Sequence, residues 1–302
     1  MRLFDYLVPL KSRSHRVELY PFYDCHIGKR NCYEAGIRKQ VREILRQEAK
    51  KDRTCRVLFG GDVIDAIKPQ DIRFTFNSLA DWVYEGKAMK VRDKLNNIVG
   101  SQVERFEKLF SPIKHLAIGG LEGNHETTIT KRYNSDVQSE IVKSLNMEDL
   151  TDECLIRFQF KMEPNTRMVF LYMRHGYGGG RSPGAEPTKI DKMMADGVAA
   201  NCDICLTGHS HTFNVNPPLP FLYVPSKGKL PPESLVRYRY GANPGSWLLS
   251  HQVGKGSYES AACYPTKPMM GLKIVIWPFW HTTHKGCDVS RPKIEMRQYT
   301  LL

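Results

Sequence analysis

Five short polar blocks, each placed where an apolar, strand-like run ends, constrain this chain more than any other feature of its sequence. The blocks are D-x-H at 24–26, G-D-x-x-D at 61–65, G-N-H-E at 123–126, H-G at 175–176 and G-H-x-H at 208–211. Helical stretches often follow them. Loops at the carboxyl ends of strands carry the functional site in α/β folds. The pattern therefore predicts an α/β fold in which the five blocks act together.

The apolar periodicity predicts the elements around these blocks. Strands are expected at 17–23, 56–59, 115–118, 154–162, 167–173 and 203–207. Helices are expected at 33–50, 135–146 and 187–199, and 70–110 is predicted to be mostly helical. Past the last block, prolines indicate an irregular excursion or insertion at 214–240, and short strand-like pieces near 235–240, 246–250, 271–277 and 293–299 complete a sheet. No linker separates a second unit, so one domain over 1–302 is predicted.

The side chains of the blocks form a donor set for two divalent cations. Two such ions about 3.5–4 Å apart clamp the attacking and leaving oxygens of a phosphoryl transfer. The site needs a carboxylate that bridges both ions, together with imidazole or amide ligands that leave part of the metal charge in place. Such ligands suit Mn, Fe, Zn or Mg. The candidate ligands are Asp24, His26, Asp62, Asn124, His175, His209 and His211.

In this order and at these spacings, the blocks resemble those of the calcineurin-like metallophosphoesterase superfamily. The resemblance covers residues 24–211. It implies a four-layer α/β/β/α sandwich with two mixed β-sheets. It also implies a metal-dependent phosphoesterase, with manganese as the first choice of metal and Fe, Zn or Mg as alternatives.

The resemblance assigns a role to each matching residue. One metal ion would be bound by Asp24, His26 and His211, and the other by Asn124, His175 and His209. Asp62 would bridge the two ions, and a hydroxide between them would attack phosphorus in line. His125 would protonate the leaving oxygen as a general acid. Asp65 would orient His125 or stabilise its charge. Glu126 is predicted to support the site or start a helix rather than bind metal.

The blocks alone do not choose a substrate. The D-x-H block, continued by Ile27-Gly28, is similar to that of DNA-repair exonucleases, and G-N-H-E is similar to that of Ser/Thr protein phosphatases. Those phosphatases have Arg-Gly after the second Asp of G-D-x-x-D, whereas Ala66-Ile67 follow here. The combination of G-N-H-E, H-G-Y-G-G-G and G-H-x-H is similar to that of phage and prophage phosphoesterases. A phage-encoded protein would act in the host cytoplasm.

Three basic residues near the blocks are candidates for substrate binding. Arg181 ends a Gly-rich loop that begins at the H-G block, and backbone N–H groups of such a loop can bind phosphate. A mobile loop without a substrate role is an equal alternative. Lys131 and Arg132 closely follow the G-N-H-E block, so contact with substrate is expected.

The net charge of +12 favours polyanionic partners. The leading hypothesis is therefore a phosphodiesterase or nuclease that acts on nucleic acid. One alternative is a phosphomonoesterase acting on a phosphoprotein or a small metabolite. Another is a non-catalytic, metal-stabilised scaffold in a larger assembly. All three hypotheses are compatible with a protein partner or a homo-oligomer.

The remaining sequence signals favour a cytoplasmic protein. No apolar run reaches the roughly 18 residues of a membrane span, and the N-terminus has no signal-peptide pattern, so no membrane association is expected. The eight cysteines are scattered, which favours reduced thiols over a disulfide framework. Histidines outside the blocks are predicted to lie at the surface or in hydrogen bonds; they are His15, His115, His251, His281 and His284.

Overall fold

Two β-sheets provide the strand ends on which the five blocks lie. The computed structural model describes residues 1–69, 71, 74–83, 97–178, 184–222, 236–249, 269–284 and 287–300, with backbone alone at 222, 281–284 and 287–291. The strands are β1 (Arg2–Pro9), β2 (Arg16–Phe22), β3 (Arg53–Phe59), β4 (Ala117–Gly120), β5 (Glu148–Asp149), β6 (Glu153–Met162), β7 (Asn165–Arg174), β8 (Ile204–Leu206), β9 (Asn214–Val215), β10 (Leu219–Leu222), β11 (Val236–Asn243), β12 (Met270–His284) and β13 (Cys287–Thr300).

Both sheets are mixed. The first has the order β1-β6-β7-β8-β11-β10, with β9 also paired to β11. Its β7, β8 and β11 are parallel, whereas β6 and β7 form an antiparallel hairpin. The second has the order β13-β12-β2-β3-β4-β5, in which β2 to β5 are parallel and β12 is antiparallel to β2. Parallel strands place their carboxyl ends at one edge, so the loops after β2, β3 and β4 are neighbours.

Helices cover the outer faces of the sheets. They are α1 (Glu34–Glu48), α2 (Ile98–Phe110), α3 (Asn124–Tyr133), α4 (Val137–Ser144) and α5 (Ala185–Ala195). The first four pack on the second sheet, where Ile44 of α1 and Phe106 of α2 join Phe59 of β3 in one buried cluster. α5 packs on the first sheet, where Ile190 contributes to a smaller buried cluster.

A third apolar cluster lies between the sheets. It joins side chains of the second sheet, among them Leu19 and Ile274, to side chains of the first, among them Phe158 and Leu171. Alternate residues of each strand face this interior, as the period of a strand requires. The layers therefore run helix, sheet, sheet, helix, and the predicted α/β/β/α sandwich with two mixed sheets is confirmed. That residues 1–302 form one domain stays a prediction.

Several predicted elements differ from the structure. Within 70–110 the described residues hold two short 3₁₀ turns, Phe76–Ser78 and Asp81–Val83, before α2. The strand expected at 115–118 begins later, because 3₁₀ helix Ser111–Leu116 includes His115 and β4 begins at Ala117. Neither β1 nor α3 is predicted from the sequence.

Much of the described part of 214–240 forms strands, and the insertion expected there stays a prediction. β9 and β10 both pair antiparallel with β11, and Pro220 of β10 pairs with Tyr238. β10 is an edge strand, where a proline is tolerated because one side of the strand needs no N–H donor. Residues 223–235 lie outside the described chain. No helix among the described residues is long and apolar enough to cross a membrane.

Candidate metal centre

The five blocks meet at the carboxyl ends of five strands. Asp24 and His26 follow β2, Asp62 and Asp65 follow β3, Asn124 and His125 follow β4, His175 follows β7, and His209 and His211 follow β8. Backbone hydrogen bonds tie these loops together. The N–H of His26 donates to the carbonyl of Asp62 at 2.9 Å, and the N–H of Gly208 donates to the carbonyl of His175 at 2.8 Å.

The backbone is left-handed at five of the seven predicted ligands. The φ angles are 49° at Asp24, 47° at His26, 49° at Asp62, 69° at His209 and 56° at His211. A non-glycine residue in this region costs on the order of 1–3 kcal/mol, and such residues cluster at functional sites. The fold therefore holds these side chains in directions that an extended strand would not give them.

One group of donor atoms forms around Asp24, His26 and His211. Their candidate ligand atoms all lie within 4.8 Å of one another. The Nε2 atoms of His26 and His211 are 3.0 Å apart, and His211 Nε2 is 3.6 Å from Asp24 Oδ1. Neighbouring ligands on one octahedral ion are about 3 Å apart when the bonds to it are about 2.1 Å long. The spacing fits a shared divalent cation.

A second group forms around Asn124, His175 and His209. Asn124 Oδ1 lies 2.8 Å from His209 Nδ1 and 3.1 Å from His175 Nε2. These distances also match those between neighbouring ligands of one ion. His175 Nδ1 is 2.8 Å from the carbonyl oxygen of Gly60, which can only accept, so Nδ1 carries the proton. A metal-binding histidine is oriented by a hydrogen bond of this kind.

Asp62 lies between the two groups. Its Oδ2 is 3.3 Å from His175 Nε2 and 3.9 Å from His26 Nε2. Its Oδ1 accepts the backbone N–H of His125 at 2.9 Å. One carboxylate oxygen is therefore held by the backbone, while the other faces histidines of both groups, where a bridging carboxylate would be placed.

The charges of the site stabilise a cation beside Asp62. Burial acts to lower the pKa of His175, but the negative charges of Asp62 and Asp24 outweigh it and raise that pKa to about 10. Burial acts to raise the pKa of Asp62, but the adjacent His175 and His125 hold it well below its ordinary value. His26 differs, because its burial lowers its pKa to about 4 and leaves the ring neutral. A neutral imidazole and an ionised carboxylate are the forms that bind metals, so His26 and Asp62 are in the binding form, whereas His175 would release a proton when it binds an ion.

His125 lies beside His26 and Asp62, with its ring centroid 4.7 Å from that of His26, and it is nearly buried, with 9% of its surface exposed. Its Nδ1 is 2.5 Å from the backbone carbonyl oxygen of Asp65, whereas the Asp65 carboxylate is 3.8 Å away. The same carboxylate is 3.6 Å from His26 Nδ1. Asp65 therefore contacts His125 through its backbone and directs its side chain toward His26.

Glu126 supports the loop that carries Asp62. Its buried carboxylate accepts N–H groups from Asp62 at 3.0 Å, Val63 at 2.9 Å, Ile64 at 3.3 Å and Gly123 at 3.1 Å. These bonds join the G-D-x-x-D loop to the first turn of α3. The residue acts at a helix start, as the sequence suggests, and it also fixes the backbone of the predicted bridging ligand.

Two glycines are required by the close approach of neighbouring atoms, and Gly61 is also required by its turn. Gly61 has φ of 88°, and a Cβ there would lie 2.7 Å from His175 Nδ1. Gly123 has an extended backbone that any residue adopts, but a Cβ there would collide with the carboxylate and the N–H of Asp62. A side chain at Gly123 would thus displace Asp62 rather than strain the turn.

A cleft of about 430 Å³ opens beside Asn124 and His175, and Lys131 of the predicted substrate-binding residues lines it. Arg132 instead points toward Asp71, with Nη1 3.6 Å from the Asp71 carboxylate, and its side chain is 58% exposed. Arg181 lies outside the described residues.

Sequence reasoning missed three residues near the site. Asn243, fully buried at the end of β11, donates to Ser210 Oγ at 2.9 Å and to Glu186 at 2.6 Å, which fixes the loop of His209. The sequence feature that could have identified Asn243 is a polar residue at the end of a strand, directly before Pro-Gly. Arg174 and Tyr177 line the cleft on either side of the H-G block.

No protein-family profile matches the sequence, and no curated protein matches it either. Among solved structures, the chain is similar to a double mutant of Vps29 from Entamoeba histolytica. The two share 12% sequence identity at a TM-score of 0.26, and the aligned part covers 66% of this chain and 88% of the other. At this level of likeness, the fold assignment depends on the sheets and layers themselves.

Proposed function

We propose that the protein is a dinuclear-metal-dependent phosphoester hydrolase of the calcineurin-like type, with a nucleic-acid phosphodiester as its substrate. The observation that carries the proposal is the position of Asp62 Oδ2, which faces His175 in one group of donor atoms and His26 in the other. Two divalent ions bound to these groups would polarise the phosphoryl oxygens and activate the attacking water. Manganese is the first choice among Mn, Fe, Zn and Mg.

The residues of the chain supply the rest of the chemistry. His125 is close to His26 and Asp62, and its Nδ1–H donates to the carbonyl oxygen of Asp65. A proton for the leaving oxygen would therefore come from Nε2. Asn124 adds a neutral oxygen ligand, which leaves part of the metal charge for the substrate.

The charge of the chain supports a polyanionic substrate. A net charge of +12 attracts nucleic acid over long distances. Lys131 on α3 places one of these charges in the cleft beside Asn124. A cytoplasmic location and a protein partner or homo-oligomer stay predictions from the sequence.

The test compares four substrates with Mn²⁺ and with EDTA. They are bis-(p-nitrophenyl) phosphate, p-nitrophenyl phosphate, and labelled single-stranded and double-stranded DNA. The proposal expects cleavage of the diester and of DNA, abolished by EDTA and in an Asp62→Asn variant. Turnover of the monoester alone would assign a phosphomonoesterase. Bound metal without turnover of any substrate would point to a scaffold.

A further inference from the structure

We propose that the cleft beside Asn124 and His175 binds the nucleoside of a phosphoester substrate, with its base stacked on Tyr177. The inference rests on the proposed function and narrows its substrate class. The cleft volume of about 430 Å³ lies within the range of about 300–1,000 Å³ that is usual for small-ligand sites. Because two predicted metal ligands line the cleft, a group bound there would be attached to the phosphorus undergoing reaction.

Tyr177 provides an aromatic surface at the cleft. It follows His175 by two residues, and 73% of its surface is exposed, more than for any other large apolar or aromatic side chain described. The guanidinium carbon of Arg174 lies 5.2 Å from the ring centroid, a cation–π contact that holds the ring beside the cleft. Stacking of a base on such a ring contributes about 1–3 kcal/mol, and every base offers the required face.

The charges of the cleft favour an uncharged group over a second phosphate. Among the residues that the structure describes, Lys131 and Arg174 are the cations of the lining, but Glu122, Asp152 and Glu153 line it as well. Grooves that follow a nucleic-acid backbone are positively charged throughout, because each phosphate needs a cation. Here a second phosphate would meet carboxylates. A nucleoside carries no charge, and its sugar hydroxyls donate hydrogen bonds to carboxylates.

The cleft therefore fits a terminal nucleoside. Two sources share this chemistry, namely the end of a nucleic-acid strand and a free nucleotide ester. Both carry one nucleoside next to the reacting phosphorus, without a further phosphate on that side.

Kinetics of two diesters test the stacking surface. The p-nitrophenyl ester of thymidine 5′-phosphate carries a nucleoside, and ethyl p-nitrophenyl phosphate does not. Tyr177→Ala should lower kcat/KM for the thymidine ester about 10-fold or more, since it removes the stacking contact, and leave the ethyl ester within about 2-fold. Tyr177→Phe, which keeps the ring, should match the wild type on both. An equal effect of Tyr177→Ala on the two esters, or none, would overturn the inference.

A binding measurement separates this inference from the proposed function. Calorimetry in a His125→Ala background, where the proposed acid is absent, compares adenosine 5′-monophosphate with ribose 5-phosphate in the presence of Mn²⁺. The nucleotide should bind about 10-fold more tightly, and adding Tyr177→Ala should remove that difference. If the wild type hydrolyses no ester, the proposed function fails, and this comparison still decides whether the cleft binds a nucleoside.

Linear and circular single-stranded DNA distinguish the two sources. Cleavage of linear DNA only would assign the strand end. Cleavage of neither, with hydrolysis of the thymidine ester, would assign the free nucleotide ester. Cleavage of the circle as fast as the linear strand would overturn a terminal-nucleoside cleft.

Discussion

His125 is held by the backbone of Asp65 and not by its side chain: the ring Nδ1 lies 2.5 Å from the carbonyl oxygen and 3.8 Å from the carboxylate. A carbonyl oxygen fixes the tautomer because it can only accept a hydrogen bond. The orientation of the proposed acid therefore depends on the shape of the loop after β3.

Replacement of His125 by Ala should lower kcat by about 10²–10⁴-fold, the usual contribution of a general acid, and should leave metal binding intact. The loss should be smaller with a p-nitrophenyl ester than with an alkyl ester, because p-nitrophenolate leaves without a proton. His115→Ala, at an exposed position of the 3₁₀ helix Ser111–Leu116, serves as the control. A near-normal rate on the alkyl ester would refute the acid assignment.

Asp65→Asn should affect metal binding more than proton donation. The carbonyl oxygen that holds His125 is kept in this variant, whereas the carboxylate 3.6 Å from His26 Nδ1 is lost. Outer partners of this kind contribute about 10–100-fold to metal affinity. Titration with Mn²⁺ should show this loss, and the dependence of rate on leaving group should stay that of the wild type. A variant that instead shows the leaving-group dependence of His125→Ala would assign the carboxylate to His125.

Asp62→Asn should weaken both metal positions together. Its Oδ2 faces a histidine of each group, so loss of its charge removes attraction for either ion. Metal content after dialysis against a limiting concentration of Mn²⁺ measures the effect. Asp196→Asn, an exposed substitution beyond α5, is the matched control. Two ions retained at wild-type affinity would show that Asp62 does not bridge.

Most of the candidate site is predicted from the sequence because its residues lie in short motifs, each of which is local in the chain. Each block follows an apolar strand, and parallel strands carry their loops to one edge, so Asp24, Asp62 and Asn124 are expected to be neighbours before any coordinates are known. The resemblance to the calcineurin-like metallophosphoesterases then predicts the order of the helix and sheet layers. Side chains that would contact the substrate do not belong to such motifs, which is why Arg174 and Tyr177 were missed.

Elements that depend on distant partners were predicted poorly. Among the described residues β1 is an edge strand that pairs with β6 alone, and this pairing joins residues 152 positions apart, such as Arg2 and Cys154. α3 contains β-branched residues and begins at a functional loop, so intrinsic preference does not mark it. Its first turn is fixed by Glu126, whose partners Asp62 and Val63 lie in the loop after β3. Tertiary contacts, not local propensity, decide these elements.

His15 should make stability depend on pH. Its ring is buried, with Nε2 3.0 Å from Thr54 Oγ1, and burial, followed by the charge of Lys11, lowers the pKa of His15. The unfolded chain binds the proton near pH 6.5, so the folded state loses stability as pH falls below that value. Melting temperatures at pH 7.5 and 5.5 should therefore differ more in the wild type than in His15→Asn. Equal differences would show that His15 titrates alike in both states.

Glu126→Gln should destabilise the protein without removing any predicted ligand. The side-chain NH₂ of Gln cannot accept a hydrogen bond, so two of the four N–H groups of Asp62, Val63, Ile64 and Gly123 would lose their acceptor. Each unsatisfied buried donor costs about 1–3 kcal/mol, which gives a loss of about 2–6 kcal/mol in the free energy of unfolding. Urea denaturation in EDTA measures this loss apart from metal binding. Glu140→Gln, at an exposed position of α4, should change stability by less than about 1 kcal/mol. If the two variants unfold at the same urea concentration, the four hydrogen bonds do not hold the Asp62 loop in solution.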